Sequence, residues 1–107
     1  MAVTFEEFKK LELKVARIKE VNDHPNADKL YVLNIDFGDK TKQIVAGIKN
    51  YYTKEELVGR QIVVVDNLEP ALLRGVESQA MLLAASDEKG VAIITTSREM
   101  NLGSIVK

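Results

Sequence analysis

The chain has 107 residues, 46% of them hydrophobic and 29% charged, with a formal net charge of -1 and a pI near 5.8. That length bounds it to a single domain, residues 1–107, and the apolar content suffices for one packed core and excludes a disordered chain. There is no cysteine, so thiol chemistry is excluded; no apolar run is long enough for a membrane span to be expected, MAVTFEEFKK does not look like a secretory signal, and a cytoplasmic location is expected.

In chain order, Thr4-Phe5-Glu6-Glu7 has the capping-box spacing, with Thr at the cap and Glu three residues later, and predicts a short helix to about Lys10. LELKVARIKEV (11–21) follows as a long strand. Leu11, Leu13 and Val15 share one face, then the apolar series passes to Ala16, Ile18 and Val21, a parity slip that predicts a bulge or sharp bend. The turn formers of NDHPNAD end that strand. From Lys29 to Phe37, Tyr31, Leu33, Ile35 and Phe37 alternate with Val32, Asn34 and Asp36, the pattern of a half-buried strand. Gly38-Asp39-Lys40 connects it to Thr41–Ala46 as a hairpin.

A second capping box, Thr53 with Glu56, opens a short helix, stapled by Tyr52 and Leu57 and stopped at Gly59. QIVVV, within Arg60–Asp66, is a β-branched strand, and Asn67–Glu77 reads as a loop containing Pro70. Met81–Ala85 and Val91–Thr96 read as strands about an Asp87–Gly90 turn, and the tail ends in a short strand at Ile105-Val106. A short helix, a bent first strand, a hairpin, a helix and further strands compose an all-β plan. It is the five-stranded OB-fold barrel, with its helix between the third and fourth strands and short terminal extensions. A barrel this small holds side chains only, so no deep catalytic pocket is expected.

The motifs point away from catalysis. The single histidine, His24, lies in a turn without the convergent partners of a metal site. Ser78 is not in a nucleophile-elbow context, and the six glycines form no phosphate loop. We therefore expect no enzyme, no metal and no cofactor. The charges are uneven: Lys9–Lys19 holds five basic residues against Glu12, and Lys40–Lys54 holds four lysines and no carboxylate. A positive face on a near-neutral protein follows from that distribution. Phe5, Phe8 and Phe37 are expected in the core or an interface, and Tyr31 and Tyr52 in the core. This is a poor set for stacking single-stranded bases, so any nucleic-acid partner is better read by shape through backbone and loop contacts.

The segments LKVARIKEV, HPNADKLYV, IDFG, QIVAGIKNYYTKEELVGRQIVVV and NLEPALLRGVESQAMLLAAS, in that order, resemble the tRNA-binding domain family, over about Phe8 to Lys107. Its members occur as free-standing dimeric proteins, as the C-terminal part or β subunit of methionyl-tRNA synthetases, and in multisynthetase-associated cytokine precursors. The resemblance implies a homodimer that binds tRNA by structure, with methionyl-tRNA synthetase as a further partner. It implies an RNA-facing set of Asn26, Lys29, Lys42, Arg74, Ser78 and Met81. Their chemistry suits RNA binding, with cations for phosphate, Asn26 and Ser78 for phosphate or ribose, and Met81 either as adaptable apolar surface or as part of the barrel interior.

Two departures from the family pattern stand out. Ala80 replaces a frequent glycine, and Glu69 and Ala71-Leu72-Leu73 flank Pro70 where lysines are common. The first implies a less close approach of the backbone to RNA, and the second removes positive charge, which with the acidic pI implies weak or strongly salt-dependent binding. Rival readings are an export-related, chaperone-like OB-fold dimer that binds peptides through Leu72, Leu73 and Met81, and a synthetase assembly module. The dimer contacts are expected at Phe5, Phe8, Leu102, Ile105 and Val106, where the terminal segments leave apolar surface to bury.

Overall fold

A computed structural model describes residues 1–107. Helix α1 (Phe5–Phe8) carries its capping box: the Glu7 amide donates to the Thr4 hydroxyl at 3.1 Å and the Thr4 amide to the Glu7 carboxylate at 3.1 Å. Helix α2 (Lys54–Leu57) repeats the device with Thr53 and Glu56, and Gly59 turns the chain away at φ 88°. Only α2 buries a residue, Leu57; α1 buries none. No helix is long and apolar enough to cross a membrane.

The strands are β1 (Leu13–Asp23), β2 (Tyr31–Asp36), β3 (Thr41–Ala46), β4 (Gln61–Val65), β5 (Ala71–Leu73), β6 (Val76–Ser78), β7 (Met81–Leu82), β8 (Ala84–Asp87), β9 (Gly90–Ile93) and β10 (Ile105–Val106). The main sheet runs β3-β2-β1-β4-β7, all antiparallel, with β10 beside the start of β1. It closes on itself through the end of β6 and the Gln79 that follows. The Gln79 amide donates to the Gln43 carbonyl at 2.8 Å, the Gln43 amide to Gln79 Oε1 at 2.9 Å, and the Val45 amide to Ser78 Oγ at 3.0 Å. The result is the expected OB-like all-β barrel, with α2 between β3 and β4 and the tail strand as a sixth member of the sheet.

Residue chemistry explains the interior. Leu33, Ile35 and Ile44 of the hairpin, Ala16 and Ile18 of β1, and Ile62 and Val64 of β4 are fully buried in one cluster. The parity slip in β1 serves two layers. Leu13 and Val15 are buried outside that cluster, where the tail crosses β1, and Ala16 and Ile18 turn inward. The ladder itself shifts register slightly later than the apolar series predicts, between Ile18 and Glu20. In β4 all five residues are buried. Its outward Gln61 binds the tail: the side chain donates to Met100 O at 2.6 Å and accepts from Met100 N and the Thr96 hydroxyl, each at 3.0 Å.

Two expectations change. The loop expected over Asn67–Glu77 contains the hairpin β5–β6, turned by Arg74-Gly75. Its strands have three residues each, too few to show an alternating pattern, and Pro70 and Gly75 read as loop punctuation. The strand expected at Met81–Ala85 breaks at Leu83: β7 pairs with β4, and β8 leaves to form a separate hairpin with β9.

Candidate nucleic-acid interface

The β5–β6 hairpin stands beside β3 and builds one continuous face. Leu73↔Val76 is the last strand pair, so Arg74 and Gly75 form a two-residue turn, at φ 54° and 89°. Positive φ at both positions is the type I′ requirement, which favours Asn, Asp or Gly. Arg74 is the only non-glycine residue of the chain with positive φ, a conformation that costs an L-residue about 1–2 kcal/mol.

The strained tip is held from the HPNAD loop. Asn26 Nδ2 donates to the Arg74 carbonyl at 3.2 Å, and Arg74 Nη2 donates to the Asn26 carbonyl at 3.3 Å. Beneath them lies His24, buried, with both ring nitrogens engaged. The Asn26 amide donates to Nδ1 at 2.9 Å, so Nδ1 is the acceptor and Nε2 carries the proton given to the Leu73 carbonyl at 2.8 Å. His24 therefore ties the loop to the hairpin. Asn26, Lys29 and Arg74 line the resulting open pocket of about 440 Å³.

Next along the face is an apolar cleft of about 240 Å³ lined by Val45, Leu68, Ala71, Leu73, Ala80 and Met81. Met81 is half-exposed on its rim rather than inside the barrel. Ser78 is buried: its hydroxyl accepts from the Val45 amide and donates to the Ala80 carbonyl at 2.9 Å. Both functions of that hydroxyl are engaged in holding β6 against β3.

The far end of the face is charged. Asp66, 3% exposed at the end of β4, receives three ammonium groups: Lys14 and Lys40 at 2.8 Å from Oδ2, and Lys42 at 2.7 Å from Oδ1. Burial pushes this carboxyl up, but the hydrogen bonds from Lys14, Lys40 and Lys42 outweigh it and hold the group far below the usual carboxylate range. Lys42 Nζ also reaches the Asp66 carbonyl at 2.8 Å and the Gln79 carbonyl at 3.5 Å. It is thereby committed to joining β3, β4 and the Gln79 segment. Lys14 has Glu12 at 3.7 Å as a second partner. Asp66 with Lys40, Lys42, Asn67 and Gln79 lines a cleft of about 490 Å³ that shares Leu68 and Glu69 with the apolar one.

The structure thus brings Asn26, Lys29 and Arg74 together, places Met81 at mid-face, sets Lys42 in the wall of the charged cleft with its donors engaged, and buries Ser78. Sequence reasoning favoured a turn-stabilising or surface role for His24 but missed its reach to the hairpin, and it missed Asp66 as a hub. The His-Pro turn was visible, but its partner, Leu73, is distant in sequence. Nothing in QIVVVD distinguishes Asp66 from a strand-ending residue. Of the tyrosines, Tyr31 is buried and Tyr52 half-buried, as expected, and Tyr51 is exposed. Phe37 is in the core, but Phe5 is 72% exposed and Phe8 is on the surface too. Ile105 is exposed, and Leu102 and Val106 are half-buried in the tail.

Comparison with known proteins identifies the family of the chain. A family profile described as "Putative tRNA binding domain" matches residues 13–105. A methionine–tRNA ligase of Thermococcus kodakarensis is 55% identical over 105 residues, covering 98% of this chain and 14% of the ligase. The chain therefore spans about one seventh of the length of that curated relative. Among solved structures, a MetRS related protein from Pyrococcus horikoshii superposes with a TM-score of 0.93 at 36% identity, covering 100% of this chain and 99% of that one. The chaperone CsaA from Bacillus anthracis superposes with a TM-score of 0.92 at 28% identity, over 100% of both chains.

Proposed function

Since the chain belongs to the tRNA-binding domain family, we propose that it binds tRNA by shape, as a cytoplasmic homodimer working with a methionyl-tRNA synthetase and with no catalytic step of its own. Arg74 and Lys29 contact phosphates, Asn26 orients Arg74 and hydrogen-bonds the backbone, and Met81 packs against ribose or base. Lys42, in the cleft wall, and the buried Ser78 serve the same surface by fixing the strands that carry it. The observation that carries this reading is Arg74, a cation kept at positive φ by two reciprocal bonds with Asn26. Backbone strain held in place by its surroundings is typical of ligand contacts. The exposed Phe5, Phe8 and Ile105, with Leu102 and Val106, supply the apolar surface for the second protomer.

The test is a fluorescence titration with bulk tRNA at about 50 and 200 mM salt, where phosphate-driven binding weakens steeply. Unstructured RNA of equal length is the control. Preferential, salt-sensitive binding to tRNA is expected, and equal binding to both RNAs refutes the reading. A second reading, peptide binding, draws on the similarity to a chaperone and on Leu72, 74% exposed at the hairpin. It predicts binding of an apolar peptide that persists at high salt and is lost in L72S/L73S.

A further inference from the structure

Three cations meet one carboxylate at Asp66, and one would suffice to neutralise it. Lys14, Lys40 and Lys42 against Asp66 give the carboxylate more ammonium donors than it needs, while Glu12 beside Lys14 and Glu69 on the cleft rim balance the remaining charge. The three lysines are not equivalent. Lys42 directs its donors to the Asp66 carboxylate and to the Asp66 and Gln79 carbonyls, and Lys14 divides itself between Asp66 and Glu12. The Lys40 ammonium makes one hydrogen bond, to Asp66, and lies 5.2 Å from the centre of the Phe37 ring. Its side chain is 39% exposed and lines the cleft. An ammonium held by a carboxylate and an aromatic face, with N–H groups left over, is preorganised to receive an anion, because its rotamer freedom is already lost.

We propose that Lys40 forms a second phosphodiester subsite, at the opposite end of the apolar cleft from Arg74. Strand β3 sets the separation. Residue 46 pairs with Tyr31 at the HPNAD end and residue 41 with Asp36 at the Lys40 end. Five residues of rise, at about 3.4 Å each, place the two poles roughly 17 Å apart. That span suits backbone phosphates a few nucleotides apart, with the intervening ribose and bases over Met81 and Leu73. Lys42 and Lys14 act as positioning residues that keep Asp66 in place. Glu69, on the cleft rim, opposes the anion.

This inference rests on the tRNA reading, and the experiment separates the two. The slope of log K against log salt is measured for full-length wild type, K40A, K40R and R74A with labelled bulk tRNA. One lost phosphate contact lowers the slope by about 0.7–0.9. K40A is expected to lose that increment, K40R to recover it, and K40A to stay folded on its two remaining lysine–Asp66 pairs, as checked by thermal melting. If wild type does not bind tRNA, both the reading and the subsite fall. If wild type binds tRNA and R74A loses one contact's worth of slope while K40A keeps the wild-type slope, only the subsite falls. Inorganic phosphate, titrated by calorimetry at constant ionic strength, is the second arm. Stoichiometric binding to wild type but not to K40A, with the tRNA slope unchanged, would make this a small-anion site and overturn the RNA assignment.

Discussion

Replacing Asp66 with Asn keeps the shape of the hub and removes its charge. Lys14 and Lys40 each stand 2.8 Å from the same oxygen, so their ammonium groups lie within twice that distance of each other. Two unit charges about 5 Å apart at an effective dielectric of about 20 repel by roughly 3 kcal/mol. Breaking a buried pair from one side costs about 3–5 kcal/mol. The lysines here are a quarter to two-fifths exposed and can swing outward, which places D66N near the lower figure, about 3 kcal/mol. For a domain of this size that is a fall in Tm of about 12–24 °C. The pH dependence supplies an internal check. The folded carboxyl is held below its unfolded value. Its contribution is therefore complete above the unfolded pKa of about 3.9, and is lost as pH falls from there toward the folded value. The gap between the melting temperatures of wild type and D66N should narrow as pH falls from about 4 to 2.5. A D66N protein melting within about 4 °C of wild type at pH 7, or curves that run parallel into acid, would refute the hub.

Three further outcomes are expected. R74G relieves the positive-φ strain and should raise stability by about 1 kcal/mol, while lowering tRNA affinity and the salt slope by one contact; a melt and a salt titration measure both. S78A leaves the Val45 amide without its partner inside the barrel and should cost about 1–3 kcal/mol in urea unfolding. H24N keeps an acceptor for the Asn26 amide but loses the bond to Leu73, and H24Q restores a donor there. H24N should weaken tRNA binding in wild type but not further in R74A, and H24Q should recover part of the loss; additive losses would contradict a role exerted through the hairpin.

Local chemistry was legible and distant partnership was not. Both capping boxes, the Gly59 stop and the alternation of Tyr31, Leu33 and Ile35 involve neighbours within a few residues, so composition and period disclose them. The slip in β1 was legible as a slip, though the ladder shifts a few residues later because apolar parity reports burial and not hydrogen bonding. The β5–β6 hairpin was hidden by its brevity. At the interface, residue types pointed to Lys42 and Ser78, and only the fold reveals that their polar groups are already engaged across the barrel. Lys40 and Lys42 look alike on paper; what separates them is the number of carbonyls within reach.

The pairing of β10 with β1 has one more consequence. Leu13 lies opposite Val106, so the ends of the folded body meet at one edge of the sheet. The stretch from β1 to β10 is nearly a closed ring, and with residues 1–12 removed a few flexible residues from Lys107 to the start of β1 would complete it. New ends opened at Glu88-Lys89, in the exposed turn between β8 and β9, would leave the barrel's contacts intact. A unit whose entrance and exit coincide can be slotted into a loop of a larger protein as readily as it can be joined to an end.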